Sequence, residues 1–218
     1  MRFRCLILDH DDTVVNSTAT VHYPSFVEYV NRFKPDVNYT LEEYFRYNFD
    51  PGVLPFFEDM VGLSPKEMAE EEAFWKDYAS KHIPEAYPGI RELLEEHRKR
   101  GGIIVVASHS YRENILRDYR ENGLSCPDAV YGWDLPNELR KPSPYAVFEA
   151  EKAFQLRPEE ILVVDDLKPG YDMARNAGVA FAAAGWANDI PEIETFMRKN
   201  SDYYFKTVEE FAGFLTEN

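Results

Sequence analysis

Residues 3–13 have the sequence FRCLILDHDDT, which is the most informative segment of this chain about its fold. The apolar part predicts a buried strand over Phe3–Asp9, and acidic side chains follow it at once. Two later segments have the same layout: Ile103–Ser108 reads IIVVAS, and Ile161–Asp166 reads ILVVDD. Short apolar strands that end in polar residues are typical of the central strands of a parallel sheet.

Helical patterns and weaker strand patterns alternate along the rest of the chain. The predicted helices cover Pro88–Arg100, Ser143–Phe154, Tyr171–Ala177 and Thr207–Leu215. The weaker strands cover Ala129–Tyr131, Val179–Ala182 and Tyr203–Phe205. Strands that alternate with helices predict an α/β fold, a Rossmann-like parallel-sheet core with helices on both faces.

Residues 17–84 interrupt this alternation. They separate the first strand from the helix that should follow it, although a whole crossover unit needs only about 30 residues. Their pattern is helical throughout, over Tyr23–Phe33, Leu41–Tyr47, Val53–Met60 and Pro65–His82. We therefore expect an inserted α-helical cap domain over residues 17–84, above the carboxyl ends of the strands, and a core of residues 1–16 and 85–218.

The composition narrows the functional class. The 218 residues include 24 Lys and Arg against 39 Asp and Glu, a formal net charge of −15 that argues against a nucleic-acid partner. Cys5 and Cys126 form no CxxC pair, which fits thiols in a reducing compartment. Every apolar run is far shorter than the roughly 18–20 residues of a membrane span. We expect a cytoplasmic monomer that binds neither membrane nor nucleic acid.

The carboxyl ends of the predicted strands carry the residues that can do chemistry. Ligands of open parallel sheets bind there, and this fold would bring Asp9, Ser108, Lys141 and Asp165–Asp166 to one edge. Crowded carboxylates repel one another, and a divalent cation such as Mg²⁺ relieves that repulsion. The lysine charge and the serine hydroxyl add a place for a phosphate beside the metal.

Asp9 and Asp11 have a spacing that suits phosphoryl transfer. A carboxylate aimed at phosphorus can act as a nucleophile and form an aspartyl-phosphate. A carboxylate two residues further on would project from the same side of the chain, provided that strand geometry continues there. It would protonate the leaving oxygen and later deprotonate water.

These residues resemble the four motifs of the haloacid dehalogenase superfamily of aspartate-nucleophile phosphohydrolases, in the family's order. Residues 9–13, DHDDT, are similar to the first motif, DxDx[T/V], and IIVVAS with Ser108 is similar to the second. Residues 141–144, KPSP, are similar to the third motif. Residues 163–178, VVDDLKPGYDMARNAG, are similar to the fourth, an acidic pair with a downstream Ala-Gly.

The resemblance implies a role for each matching residue. Asp9 would be the nucleophile and Asp11 the general acid and base. Ser108 and Lys141 would bind the substrate phosphate. We include His109 in this phosphate-binding set because it directly follows Ser108, although the family pattern gives it no role.

The resemblance also implies a metal site and a subfamily. Mg²⁺ would be held by Asp9, the backbone carbonyl of Asp11, and Asp166, with Asp165 in or near the shell. An insertion between the first two motifs resembles the helical-cap group of β-phosphoglucomutase and phosphoglycolate phosphatase. The implied function is that of a phosphatase, the Mg²⁺-dependent hydrolysis of a small phosphate monoester, with a phosphorylated metabolite as the partner.

Two alternatives stay open. Gly170 stands four residues after Asp166, where β-phosphoglucomutase-like members have Gly and many phosphatases have Asp. It points towards a sugar phosphomutase, in which a sugar hydroxyl takes the phosphoryl group instead of water, but other phosphatases share such a glycine. The second alternative is a non-catalytic binding module, although a pure binder has no need of Asp11. The candidate substrates are phosphoglycolate, sugar phosphates and nucleoside monophosphates.

Four other features have more ordinary interpretations. We expect Asp12 to be solvated on a surface loop, and His10 to lie on the same loop, within reach of substrate. Aromatic residues of the insertion, Phe56 among them, should form its core. The run Glu70–Glu72 is expected to be a solvated helix face.

Overall fold

The computed structural model describes residues 2–217 and has a six-stranded parallel sheet. The strands are β1 (Cys5–Leu8), β2 (Ile103–Ala107), β3 (Ala129–Tyr131), β4 (Ile161–Asp165), β5 (Ala180–Ala184) and β6 (Tyr203–Phe205). Their order is β3-β2-β1-β4-β5-β6, and every neighbouring pair is parallel. The predicted Rossmann-like α/β fold is confirmed.

The register of the sheet aligns the ends of its central strands. Leu8 of β1 pairs with Val106 of β2 on one side and with Val164 of β4 on the other. All residues of β1 and β4 are buried, as expected for strands covered on both faces. The residues that follow β1, β2 and β4 therefore lie side by side at the carboxyl edge.

Ten α-helices accompany the sheet within residues 2–217. They are α1 (Tyr23–Phe33), α2 (Leu41–Phe49), α3 (Val53–Pro55), α4 (Pro65–Lys81), α5 (Ile90–Lys99), α6 (Arg112–Glu121), α7 (Tyr145–Phe154), α8 (Lys168–Ala177), α9 (Pro191–Asn200) and α10 (Val208–Glu217). The sequence pattern did not predict α6 or α9. Polar Asn114 and Asp118 take two of the four buried positions of α6, and α9 buries only Ile193 and Met197, so neither shows a clear apolar stripe.

The chain divides into two compact units. The α/β unit comprises the residues up to Asn16 and those from Glu85 onward, and the helical unit comprises Ser17–Pro84. Within residues 2–217, no helix is both long and apolar enough to span a membrane. Cys5 and Cys126 are free thiols.

In the helical unit, capping residues fix where two of the helices begin. Thr40 caps α2 and Ser64 caps α4, each in a capping box with the glutamate three residues on. The predicted helix Val53–Met60 is divided, because α3 runs into a π-helical turn over Phe56–Met60. The core of this unit is largely aromatic and includes Phe26, Tyr29, Tyr44, Phe56 and Phe57.

Candidate active site

The turn after β1 begins the site. Asp9 follows the last strand residue, and its N–H donates to the Val164 carbonyl at 2.9 Å. The chain then leaves the sheet, because Asp12 has a φ of 58° and the N–H groups of Val14 and Val15 donate to the carbonyl of His10 at 3.0 and 3.1 Å. Strand geometry does not continue through Asp11, so the turn, rather than strand alternation, places its carboxylate.

Lys141 joins two of the acidic residues. Its Nζ lies 2.9 Å from Asp9 Oδ1 and 2.6 Å from Asp165 Oδ2. All three side chains are buried, with 7% or less of each exposed. Burial alone would lower the pKa of Lys141, but the two carboxylates outweigh it and hold that pKa above its ordinary value. The site therefore contains a fixed ammonium charge.

Asp165 is held at both of its oxygens. Oδ2 pairs with Lys141, and Oδ1 accepts a hydrogen bond from the Leu167 N–H at 2.8 Å. Helix α8 packs closely against it, because a Cβ on Gly170 would lie 2.1 Å from Asp165 Oδ2. Packing therefore explains why a glycine stands at this position.

Asp166 is buried without a hydrogen-bond donor among the described residues. Only 3% of the residue is exposed, and neither side-chain oxygen receives a hydrogen bond from the described part of the chain. Burial and the charges of Asp12, Asp165 and Asp9 raise the pKa of its carboxyl well above the ordinary value. A buried carboxylate without donors is costly unless a cation balances it.

Three carboxylates of the site have the arrangement of metal ligands. One oxygen each from Asp9, Asp165 and Asp166 lies within 4.8 Å of the others, and all three residues are buried. Burial and the Asp165 charge raise the pKa of Asp9 to about 7, against the opposing effect of Lys141. Oxygen ligands and excess negative charge fit a hard divalent cation such as Mg²⁺.

Asp11 lies on the side of β2. Its Oδ2 accepts hydrogen bonds from Ser108 Oγ at 3.1 Å and from Ser110 Oγ at 2.7 Å. The Ser110 N–H also donates to Ser108 Oγ, at 3.0 Å. Ser110 was not among the predicted site residues. Its only signal was its place two residues after Ser108 in the sequence Ser-His-Ser.

His109 contacts the loop that carries Lys141. Its Nε2 lies 3.1 Å from the Lys141 carbonyl oxygen, and its ring packs edge-on against Trp133 at 5.5 Å. Burial and the Lys141 charge lower the pKa of His109 to about 3. The ring is therefore neutral, and its Nε2–H donates to the carbonyl.

Two expectations for the turn after β1 are wrong. His10 is 1% exposed, with Nε2 3.1 Å from Asp118 Oδ2 and its ring stacked on Tyr119, so it does not lie on a surface loop. Asp12 is 2% exposed and is not solvated. Both side chains are buried by residues distant in sequence.

Comparisons with known proteins agree with this geometry. A family model described as a haloacid dehalogenase-like hydrolase matches residues 3–178. The chain is 24% identical over 191 residues to the pyrophosphatase PpaX of Bacillus cereus strain Q1, a match that covers 85% of each protein.

Two solved structures have the same fold. A haloacid dehalogenase-like hydrolase from Bacteroides fragilis superposes with a TM-score of 0.80 at 19% identity, covering 96% of this chain and 99% of that one. CbbY from Rhodobacter sphaeroides, in complex with xylulose-1,5-bisphosphate, has a TM-score of 0.72 at 18% identity and 94% coverage of each chain. Because the family model matches well over half of its residues, the chain belongs to the haloacid dehalogenase-like hydrolases, and the prediction of an enzyme of this superfamily is confirmed.

Proposed function

We propose that this chain is a Mg²⁺-dependent phosphatase that hydrolyses a small phosphate monoester through an aspartyl-phosphate on Asp9. The main support for this proposal is that Lys141 Nζ lies 2.9 Å from Asp9 Oδ1. Asp9 is also one of three buried carboxylates that lie close together. The helical unit serves as the cap and selects the substrate. The enzyme acts as a cytoplasmic monomer on a phosphorylated metabolite.

The proposed metal ligands are Asp9, Asp166 and the backbone carbonyl of Asp11, with Asp165 beside them. Asp166 supports this assignment because its two buried oxygens receive no hydrogen bond from residues 2–217. Asp165 is the weakest ligand of the set because Lys141 and the Leu167 N–H already occupy its oxygens. Bound Mg²⁺ would balance the carboxylate charges and polarise the phosphoryl oxygens.

Asp9 is the proposed nucleophile. Its carboxylate oxygen attacks phosphorus, an Asp9–phosphorus bond forms, and the bond from phosphorus to the ester oxygen breaks. Lys141 stabilises negative charge on the transferring phosphoryl group, and its buried position strengthens that interaction. Since Lys141 also contacts Asp165, its ammonium is held in place before substrate binds.

Asp11 is the proposed general acid and base. In its protonated form it gives its proton to the leaving ester oxygen, and it then takes a proton from the water that attacks the aspartyl-phosphate. That second step releases inorganic phosphate and restores Asp9. The hydroxyls of Ser108 and Ser110 orient the Asp11 carboxylate by hydrogen bonds to its Oδ2 of 3.1 and 2.7 Å. Ser108 also binds the substrate phosphate.

His109 contributes to the phosphate site through its backbone in this proposal. A neutral ring whose Nε2–H donates to the Lys141 carbonyl has no second N–H to offer a phosphate. Its backbone N–H is the donor that we assign to substrate. The ring itself supports the Lys141 loop.

A small phosphorylated substrate is consistent with the relatives. PpaX is named a pyrophosphatase, and the CbbY structure contains a sugar bisphosphate. A hydrolase is preferred over a phosphomutase because the matching family model is described as one of hydrolases and because PpaX is named a pyrophosphatase.

The test is phosphate release from a generic aryl phosphate, with Mg²⁺ and with a chelator. Asp9→Asn should lower kcat by at least about 10³-fold, because removing a nucleophile eliminates the covalent route. The matched control is Asp77→Asn, which changes an exposed carboxylate in the helical unit and should leave kcat unaltered. Folding is checked by circular dichroism. An Asp9→Asn protein that is fully active would rule out the covalent mechanism.

A further inference from the structure

His10 is a buried polar residue in the turn after β1, between Asp9 and Asp11. Its Nε2 lies 3.1 Å from Asp118 Oδ2, and its ring stacks on Tyr119 with the ring centroids 5.9 Å apart. An apolar side chain would fill the same space without needing a polar partner, and replacing both members of a buried polar pair by apolar groups is often neutral for stability. The free energy of folding alone therefore gives no reason for a histidine at this position.

Asp118 is a fixed acceptor for this ring. Its Oδ1 accepts a hydrogen bond from Arg117 Nε at 2.8 Å and lies 2.7 Å from Arg117 Nη2, and 4% of the Asp118 side chain is exposed. A carboxylate that is paired with a guanidinium only accepts hydrogen bonds, so the donor to its Oδ2 is the Nε2–H of His10. This directional bond holds the His10 ring to helix α6.

The segment that contains Asp118 also contains the serines that bind Asp11. Ser108 and Ser110 lie directly before helix α6, and their hydroxyls donate to Asp11 Oδ2 at 3.1 and 2.7 Å. Asp118 lies in the second turn of the same helix. One continuous segment therefore holds the side chains of two successive residues of the turn, His10 and Asp11.

Asp9 is bound to the strand on the other side of β1. Its N–H donates to the Val164 carbonyl of β4 at 2.9 Å, whereas His10 and Asp11 are bound to the segment after β2. Three successive residues of the turn are therefore held by two different neighbours of β1. Of these contacts, the one made by the His10 side chain involves no group that we assign to the reaction, so it can be removed by itself.

We propose that His10 is a positioning residue, which holds Asp9 and Asp11 in the orientation that attack on phosphorus and proton transfer require. The inference rests on the proposed function. His10 acts through the backbone of the turn, because its Nε2 is bound to Asp118 and its ring is packed on Tyr119. Reaction rates are sensitive to small displacements of the reacting groups, and a misplacement of about 1 Å can cost about 10²-fold. The effect of His10 therefore lies in kcat rather than in substrate binding.

His10→Phe removes the ring N–H and keeps a flat ring that can stack on Tyr119. We expect kcat per folded molecule to fall about 10- to 100-fold in phosphate release from an aryl phosphate. The KM should stay within about 3-fold of the wild-type value, because Ser108 and Lys141 still bind the phosphate. A merely structural role would lower the folded fraction and leave kcat per folded molecule unchanged.

His10→Gln is the conservative variant. The glutamine amide nitrogen reaches about as far as Nε2 of histidine and can donate to Asp118, so this variant should keep at least about a third of kcat. Recovery by glutamine would show that the hydrogen bond to Asp118, rather than the shape of the ring, is what the reaction requires.

Asp118→Leu tests the same bond from its acceptor. It should lower kcat about as much as His10→Phe, and it provides the measurement even where His10→Phe folds poorly. In the double variant kcat should fall no further than in the slower single variant, because both substitutions break one hydrogen bond. The folded fraction of every variant is measured by circular dichroism and urea unfolding.

His97→Phe is the matched control. His97 is also a buried histidine, 4% exposed, and its Nε2 lies 3.3 Å from the carbonyl oxygen of Ile103. Ile103 is the first residue of β2, so this contact lies at the end of the strand opposite to the site. Its substitution may change the free energy of unfolding but should leave kcat per folded molecule unaltered.

Each outcome decides a separate point. A wild-type kcat in His10→Phe, or a His10→Gln enzyme as slow as His10→Phe, would overturn the role of His10 and leave the proposed function standing. An equal loss of kcat in His97→Phe would overturn it as well, because any buried histidine would then have the same effect. A folded wild-type protein that releases no phosphate in the presence of Mg²⁺ would overturn the proposed function, and the role of His10 with it.

Discussion

The α/β unit and the helical unit bury different kinds of side chain. At the carboxyl edge of its sheet the α/β unit buries the charged groups of Asp9, Lys141, Asp165 and Asp166. The helical unit buries a cluster of aromatic rings, and ion pairs such as Lys66–Glu70 lie on its surface. Buried rings stabilise a fold, whereas buried charges cost free energy unless they are compensated. Both units have an apolar core, but the buried charges that form the candidate active site lie in the α/β unit.

Among the variants that compare the two units, Lys141→Met is expected to have the largest effect. Removing one partner of a buried ion pair leaves Asp9 and Asp165 uncompensated, which typically costs about 3–5 kcal/mol of unfolding free energy. The kcat should also fall about 10²- to 10³-fold, because charge on the phosphoryl group loses its buried partner. The free energy is measured by urea unfolding of the metal-free protein at pH 8, and kcat by phosphate release.

Lys66→Met is the matched control in the helical unit. The Lys66 side chain is 86% exposed and pairs with Glu70 at 3.4 Å, so its loss should change stability by less than about 0.5 kcal/mol. Equal stability losses in the two variants would contradict the distinction between buried and exposed charge.

Phe56→Ala tests the contribution of buried aromatic rings to the stability of the helical unit. Phe56 is fully buried and stacks on Tyr47 at 5.4 Å, with Phe26 5.7 Å away. Truncation should cost about 3–5 kcal/mol of unfolding free energy, without the loss of kcat expected for Lys141→Met. Phe33→Ala is the control, because Phe33 is 51% exposed and should cost less than about 1 kcal/mol. A smaller loss in Phe56→Ala than in Phe33→Ala would argue against an aromatic core.

Gly170→Ala should have a smaller effect that still reaches catalysis. The added methyl overlaps Asp165, which must move together with its contact to Lys141. We expect a loss of about 1–3 kcal/mol in unfolding free energy and a fall in kcat of up to about 10²-fold. Gly213→Ala is the control, because its Cβ meets nothing within 4 Å in helix α10, and alanine should stabilise the protein slightly. If Gly170→Ala keeps full activity, the packing explanation for the glycine fails.

The sequence predicts those parts of the fold in which local pattern and burial coincide. The strands β1, β2 and β4 are continuous apolar segments, and each is observed within one or two residues of its predicted bounds. The short polar ends of these strands also indicated where Asp9, Ser108 and Asp165 would meet. A parallel sheet makes that inference possible, because it aligns the ends of neighbouring strands.

The features missed are those that depend on residues distant in sequence. The buried His10 ring has its hydrogen-bond partner in Asp118 of helix α6, which lies 108 residues further along the chain. Asp12 was expected in solvent because a charged residue in a loop usually lies there, but it is 2% exposed and accepts a hydrogen bond from Tyr87, which is distant in sequence. Ser110 was missed because a serine has no local signal that distinguishes a hydrogen bond to Asp11 from an exposed hydroxyl.

The helical unit also contains a partly buried carboxylate, that of Glu71. The smallest effect on stability is expected for a substitution of this residue. The run Glu70–Glu72 was expected to be fully solvated, but Glu71 is partly buried. Burial and the charge of Glu72 raise the pKa of Glu71 to about 7, and His22 opposes the shift. The folded state therefore favours the protonated form. The corresponding stability is complete below the ordinary glutamate pKa of about 4.3 and is lost as the pH rises through 7.

Glu71→Gln should remove that pH dependence. At pH 8 the variant should be more stable than the wild type by on the order of 1 kcal/mol, and at pH 5 the difference should be smaller because Glu71 is then largely protonated. Urea unfolding at both pH values measures the difference, with Glu70→Gln as an exposed control that should stay within about 0.5 kcal/mol throughout. A stability gain that is equal at pH 5 and pH 8 would mean that the charge of Glu71 is not responsible. In that case Glu71 would not be a buried charge, and the difference between the two units would have no exception at this position.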